Sequence, residues 1–230
     1  MIEPALYLVA TPIGNLGDLS PRAVEVLQSS SCIFCEDTRH SQRLFKRLEI
    51  ERPLLSCHEH NEAGRVQQAL DDVAAGKVVS LISDAGTPAI SDPGFRMVRA
   101  FRAAGQKVIS IPGPCAAIAA LAASGLPTDQ FRFMGFLPPK SAARLRNFEA
   151  LKDASETLVF YESTHRILKF LKDLRSVMGD DRTVCVAREL TKLHETMHTG
   201  RLAQVDEAVN QGSQKGEFVV LIAREGYSLS

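Results

Sequence analysis

Short β-rich apolar runs alternate with longer helix-period segments along nearly the whole chain, and this rhythm restricts the fold more than any other feature. Leu6–Ala10, Ile33–Cys35, Leu54–Cys57, Val78–Ser83 and Val108–Ile111 read as strands. Between them, Ser20 followed by Pro21 caps a helix over Arg22–Gln28, since serine accepts from the first-turn N–H groups and proline suits the first helical position. Asn61 is expected to cap another helix to about Ala75, closed by Gly76. Strands buried on both faces and joined by helices argue for an α/β fold with a mostly parallel, two-sided sheet. After Gly125 a connector, Leu126-Pro127-Thr128-Asp129, leads to a second series. Its strands are expected at Phe131–Leu137, Leu158–Tyr161, Val184–Ala187 and Phe218–Ala223, with helices at Ser141–Leu151 and Thr164–Met178. The expected domains are therefore 1–125 and 126–230, both α/β.

A chain of 230 residues, 45% hydrophobic, can bury two small cores. Its longest apolar run, Cys115–Ala123, is far short of a membrane span, and Glu3 and Pro4 do not suit a signal peptide. The five cysteines are odd in number and irregularly spaced, as expected of reduced thiols in a cytoplasmic protein. Twenty-seven basic and twenty-seven acidic residues cancel, so a nucleic-acid partner would need a local patch. Arg39, Arg43, Lys46 and Arg47 share one side if their segment is helical, and residues 132–175 carry nine Lys or Arg against five acids. Solvated helix faces produce the same pattern, so charge alone decides nothing.

Chemistry is expected where strands end, because ligands of such sheets sit beyond the carboxyl ends. Three exit loops are rich in Gly, Pro and small polar residues: Thr11-Pro12-Ile13-Gly14-Asn15-Leu16, Ser83-Asp84-Ala85-Gly86-Thr87-Pro88 and Pro112-Gly113-Pro114-Cys115-Ala116-Ala117. Glycine lets a backbone approach a ligand, and Asp84 is placed to accept from a ribose or amino group. No G-x-G occurs, which disfavours dehydrogenases, and Gly76-Lys77 lacks the upstream glycine of a P-loop.

Two motifs admit other chemistry. His194-Glu195-Thr196-Met197-His198 fits the H-E-x-x-H of a zinc hydrolase, with Cys57-His58-Glu59-His60 as a source of a third ligand. That motif needs a helix, whereas Val184–Glu195 reads as a strand running into an extended segment, so no metal is expected. Cys32-Ile33-Phe34-Cys35, a single C-x-x-C inside a strand, reads as buried thiols. Glu36-Asp37-Thr38-Arg39-His40 suits either a general base beside a phosphate-holding arginine or a helix cap with an ion pair, and both readings stand. Tyr161–Arg166 and Arg188–Lys192 repeat that arrangement in the second unit.

Nine ordered segments carry a resemblance over Leu6 to about Arg224: TPIGNLGDLSPRA, EDTRH, HEHNE, SDAGTPAISDPG, PGPCAAIAALAASGLP, FLPPK, YESTHR, ARELTK and KGEFVVLI. In these the sequence closely resembles the bacterial 16S rRNA (cytidine-2′-O)-methyltransferases of the tetrapyrrole methylase, or class III, superfamily. The resemblance implies two α/β domains of the tetrapyrrole methylase type, usually as a homodimer, with S-adenosylmethionine in the cleft between them. It implies 16S rRNA of the small ribosomal subunit as substrate. It also implies cofactor contacts from Pro12, Gly14, Asp84, Ala85, Gly86, Thr87, Ala116, Ala117, Glu162 and Leu190. For catalysis the expected residues are Glu36, Asp37 and Arg39, with Arg43, Lys140, Arg166 and Lys192 on RNA. The cofactor loop reads SDAGTP where the tetrapyrrole enzymes have a Gly-Asp-Pro type, so no porphyrin substrate is inferred. A tetrapyrrole methyltransferase, a non-catalytic assembly factor and the zinc hydrolase are the alternatives.

Overall fold

The computed structural model describes residues 2–58 and 61–229, in two compact units, Met1–Cys115 and Ala116–Ser230. The division falls ahead of the apolar segment 116–123, not after Gly125, because that segment is a helix packed on the second unit's sheet.

The first unit runs β1 (Leu6–Val9), α1 (Pro21–Ser29), β2 (Cys32–Cys35), α2 (Thr38–Arg47), β3 (Leu54–Ser56), α3 (Glu62–Ala74), β4 (Val79–Leu81), α4 (Phe95–Ala103) and β5 (Val108–Ile111). Its sheet, ordered β3-β2-β4-β1-β5, is parallel throughout. Alternation along each strand divides the core. Tyr7, Val9, Ile33 and Cys35 pack with Ala23, Val26, Leu27 and Phe45 from α1 and α2. Leu6, Cys32, Phe34, Val79 and Leu81 pack with Ala69, Val73, Met97 and Phe101 from α3 and α4. Ser20 caps α1, accepting the Ala23 N–H at 3.1 Å. Asn61 stands at the N-cap position of α3, as expected, but makes no side-chain cap bond; its side chain instead accepts His58 N–H at 2.9 Å and donates to the Ser56 carbonyl at 3.0 Å.

The second unit runs α5 (Ala116–Ala123), β6 (Phe131–Phe136), α6 (Ser141–Leu151), β7 (Thr157–Ser163), α7 (Ile167–Met178), β8 (Thr183–Arg188), β9 (Thr196–Arg201), α8 (Leu202–Gln211) and β10 (Glu217–Ile222). Its sheet is ordered β6-β7-β10-β8-β9, and only β6 with β7 is parallel. This mixed sheet departs from the parallel pattern of the first unit. Phe148, Phe160 and Phe170 meet edge to face at its centre, with centroids 5.0–6.2 Å apart. Across the sheet, Val159, Leu221 and Cys185 are fully buried on the face whose strands β7 and β10 receive α5. Between α6 and α7, the buried Arg144 guanidinium donates through Nε to Asp173 at 2.9 Å, and Ser141 Oγ donates to the same carboxylate at 2.9 Å.

Candidate functional site

Strand order brings the first unit's motifs together. Because β4, β1 and β5 are neighbours, the loops leaving them emerge side by side, and β2 places Glu36–His40 next to the loop after β4. The loops are tied at the backbone: Thr11 N–H donates to the Gly86 carbonyl at 2.9 Å and Gly86 N–H to the Thr11 carbonyl at 3.0 Å. Thr11 Oγ1 donates to the Ser83 carbonyl at 3.1 Å, and Thr87 Oγ1 to the Pro114 carbonyl at 3.0 Å. At Gly113 a Cβ would stand 2.8 Å from the Ala10 Cβ, so only glycine lets the β5 exit lie this close to the β1 exit. Pro12 and Thr87 are half-buried, Gly14 and Ala85 exposed and Gly86 buried, so this edge consists largely of small residues and backbone.

Asp37 caps α2. It accepts the Arg39 N–H at 2.8 Å and pairs with the Arg39 guanidinium at 3.0 Å. Those bonds from Arg39 pull its carboxyl down to about 2, a poor starting point for a general base at neutral pH. Asp84 Oδ1 accepts the Asp37 N–H at 3.3 Å, which joins the two loops. Opposite Ser41 and Phe45, which α2 buries, Arg39, Arg43, Lys46 and Arg47 are exposed, as the helical spacing requires.

Sequence reasoning missed Asp92. Burial, reinforced by the charges of Glu36 and Asp84 and partly offset by the Ser83 hydroxyl, pushes its carboxyl up to about 6. The signal was the second Ser-Asp of SDAGTPAISDPG, followed by Pro-Gly. An acid whose folded pKa is raised favours folding below its unfolded value near 3.8 and loses that contribution as pH rises to about 6. Asp92→Asn is therefore expected to stabilise the protein at pH 8 relative to the parent. The rise from 3.8 to about 6 sets a ceiling of about 3 kcal/mol, which partial solvent access reduces to about 1 kcal/mol. The gain should vanish near pH 4, and urea midpoints of both proteins at the two pH values measure it.

In the second unit, the mixed pairing of β6, β7, β10 and β8 gathers four motifs along one sheet edge. Phe136 lies beside Tyr161, Ser163 beside Glu217, and Phe218 beside Arg188. The ends of β6, β7 and β8 thus meet the start of β10. Tyr161 Oη accepts the Ala117 N–H at 3.2 Å, which fixes the start of α5. Ala116 and Leu190 are half-buried and Ala117 buried. Glu162 is buried; its Oε1 accepts Ser163 N–H at 2.7 Å and faces Arg166 Nε at 3.2 Å. Its Oε2 has no hydrogen-bond partner among the described residues, which leaves an acceptor that a ligand's or a water's donor could meet. Arg166 also donates to the Leu137 and Pro138 carbonyls, and Lys192 pairs with Glu189 and Glu217, each at 2.8 Å. Lys140 is exposed at the start of α6.

His194 lies in a turn and His198 in β9, so the H-E-x-x-H segment has no helical ligand spacing. Glu59 and His60 of the segment considered for a third ligand lie outside the described residues, among which no group of three metal-binding side chains occurs. No helix among the described residues is long and apolar enough to cross a membrane.

The family model for tetrapyrrole (corrin/porphyrin) methylases matches residues 5–206. The ribosomal RNA small subunit methyltransferase I of Pseudomonas aeruginosa is 50% identical over 97% of this chain and 80% of its own length. The protein of that name from Escherichia coli O157:H7 is 48% identical over 94% and 77%. Among solved structures, the methyltransferase CobJ superposes with a TM-score of 0.69 at 19% identity, covering 98% of this chain and 96% of its own. Uroporphyrin-III-C-methyltransferase from Thermus thermophilus superposes with a TM-score of 0.65 at 21% identity, covering 96% and 94%.

Proposed function

Because the chain belongs to the tetrapyrrole (corrin/porphyrin) methylase family, we propose that it transfers a methyl group from S-adenosylmethionine to a cytidine ribose 2′-hydroxyl in 16S rRNA. The observation that carries this reading is identity near 50% with ribosomal RNA small subunit methyltransferases over 94–97% of the chain. It acts in the cytoplasm, as a homodimer, on the small ribosomal subunit.

The residues present suit the cofactor. Pro12, Gly14 and Asp84–Thr87 offer backbone groups and a carboxylate at the first unit's sheet edge, and Ala116, Ala117 and Leu190 offer small apolar surface in the second. The buried Glu162 Oε2 suits an amino or ribose hydroxyl donor. When bound, S-adenosylmethionine supplies an electrophilic methyl carbon, so the protein's tasks are to align the ribose oxygen and take its proton. Asp37 is committed to the α2 cap and Arg39, which favours Glu36, with Asp92 beside it, as proton acceptor. Asp37 then fixes Arg39, which with Arg43 and Lys140 meets phosphate. Arg166, held by main-chain carbonyls and Glu162, orients the Glu162 carboxylate at the rim of the RNA surface.

Small subunits from a strain lacking this protein, incubated with methyl-labelled S-adenosylmethionine, are expected to yield label in 2′-O-methylcytidine. Cofactor binding without transfer to subunits or to naked RNA would sink the substrate assignment and favour a tetrapyrrole acceptor or a non-catalytic assembly factor.

A further inference from the structure

The connection from β8 to β9, residues 189–195, turns through two residues with left-handed backbone, Glu189 at φ 53° and Thr191 at φ 65°, with Leu190 between them. Side chains with a Cβ disfavour that region, so it persists only where neighbours over-determine it. Lys192 Nζ donates to Glu189 Oε1 and to Glu217 Oε2, both at 2.8 Å. Glu189 Oε1 also accepts the Glu217 N–H at 3.1 Å, while Glu189 N–H donates to the Glu217 carbonyl at 3.0 Å. Behind them, Thr164 Oγ1 holds both the N–H and the carbonyl of Gly216, at 2.8 and 2.6 Å. Gly216 has φ 114°, and a Cβ there would collide with the Glu189 carboxylate. Burial alone would raise the Glu189 carboxyl, but Lys192 and the Glu217 N–H hold it below its usual value.

We infer that Glu189 and Lys192 are positioning residues of the cofactor site: their ion pair, closed by Glu217, holds Leu190 in the backbone conformation that receives S-adenosylmethionine. Breaking the pair weakens cofactor binding more than it slows transfer. This rests on the assignment of Leu190 to the cofactor under the proposed function. A direct phosphate role for Lys192 is disfavoured because its side chain is 29% exposed and two carboxylates share its ammonium.

Titration calorimetry of S-adenosylmethionine into the full chain tests the inference. Lys192→Met keeps the aliphatic stem and removes the charge; its Kd is expected to rise roughly tenfold, within the range for one broken member of an ion-pair network. Lys192→Arg should restore near-parental affinity, and with labelled subunits Lys192→Met should raise KM for the cofactor by a larger factor than it lowers kcat. Parental cofactor affinity in Lys192→Met overturns the inference. So does unchanged cofactor affinity with a raised KM for the ribosomal substrate, which would put Lys192 on phosphate. If Lys192→Met does not fold, Glu217→Gln at the exposed end of the network carries the test, with a roughly twofold rise expected and no change overturning the inference. Failure of the parent to bind S-adenosylmethionine would remove the proposed function itself, a result distinct from parent and variant binding alike.

Discussion

Replacing Asp173 by alanine is expected to destabilise the second unit by about 3–5 kcal/mol, the usual cost of leaving one half of a buried ion pair without its partner. Arg144 is only 1% exposed and reaches Asp173 through Nε and Nη2. Its other contacts are longer, 3.4 Å to the Pro139 carbonyl and 3.5 Å to the Lys169 carbonyl. Removing the carboxylate leaves a guanidinium between α6 and α7 with no counter-charge, and Ser141 loses its acceptor as well. The pair Arg144→Met with Asp173→Leu should recover most of the loss, because apolar groups of similar volume replace such pairs at little cost. Urea denaturation followed by circular dichroism measures both, since the chain has no tryptophan. A single variant as stable as the parent would mean that the guanidinium finds water or another acceptor.

Gly113→Val should have the second large effect, on the cofactor. With the Cβ position already 2.8 Å from the Ala10 Cβ and 3.5 Å from the Ala10 carbonyl oxygen, valine must push the β5 exit away from β1. Thr87 then loses its hold on Pro114, and the loops cease to present one edge. Overpacking of this kind costs about 1–3 kcal/mol of stability. S-adenosylmethionine affinity should fall by at least about tenfold, equivalent to about 1.4 kcal/mol. Titration calorimetry separates the two effects, and unchanged affinity in a folded variant would remove the 112–117 loop from the proposed site.

The first unit was largely legible in the sequence. Its strands are short apolar runs, Ser20 caps α1 as expected, and Leu54–Ser56, Val79–Leu81 and Val108–Ile111 fall within the expected segments. The exit loops could be named because Gly, Pro and Asp cluster only where the backbone turns. Less was legible in the second unit. β9, Thr196–Arg201, carries polar residues at the sheet edge, so it has little hydrophobic alternation to betray it. The Ala-rich α5 follows the first unit's last strand in sequence, yet packs on the second unit's sheet. Two readings of Glu36–His40 were open, and the hydrogen bonds of Asp37 selected the helix cap for that carboxylate.

What the sequence determined alone was therefore local or a matter of order along the chain: the alternation of strands and helices, the turn chemistry at strand ends, and the motif series that marks the family. Tertiary structure decided which of those turns meet. Lys192 and Glu217 are 25 residues apart and Thr164 and Gly216 are 52, separations over which neither periodicity nor propensity carries information. Their meeting follows from strand order and antiparallel register, set by burial of whole sheet faces. The same holds for Asp92, whose raised pKa comes from burial and from Glu36 and Asp84 on neighbouring strand exits. Charge and desolvation act through space, so such a group becomes visible only once the chain has folded.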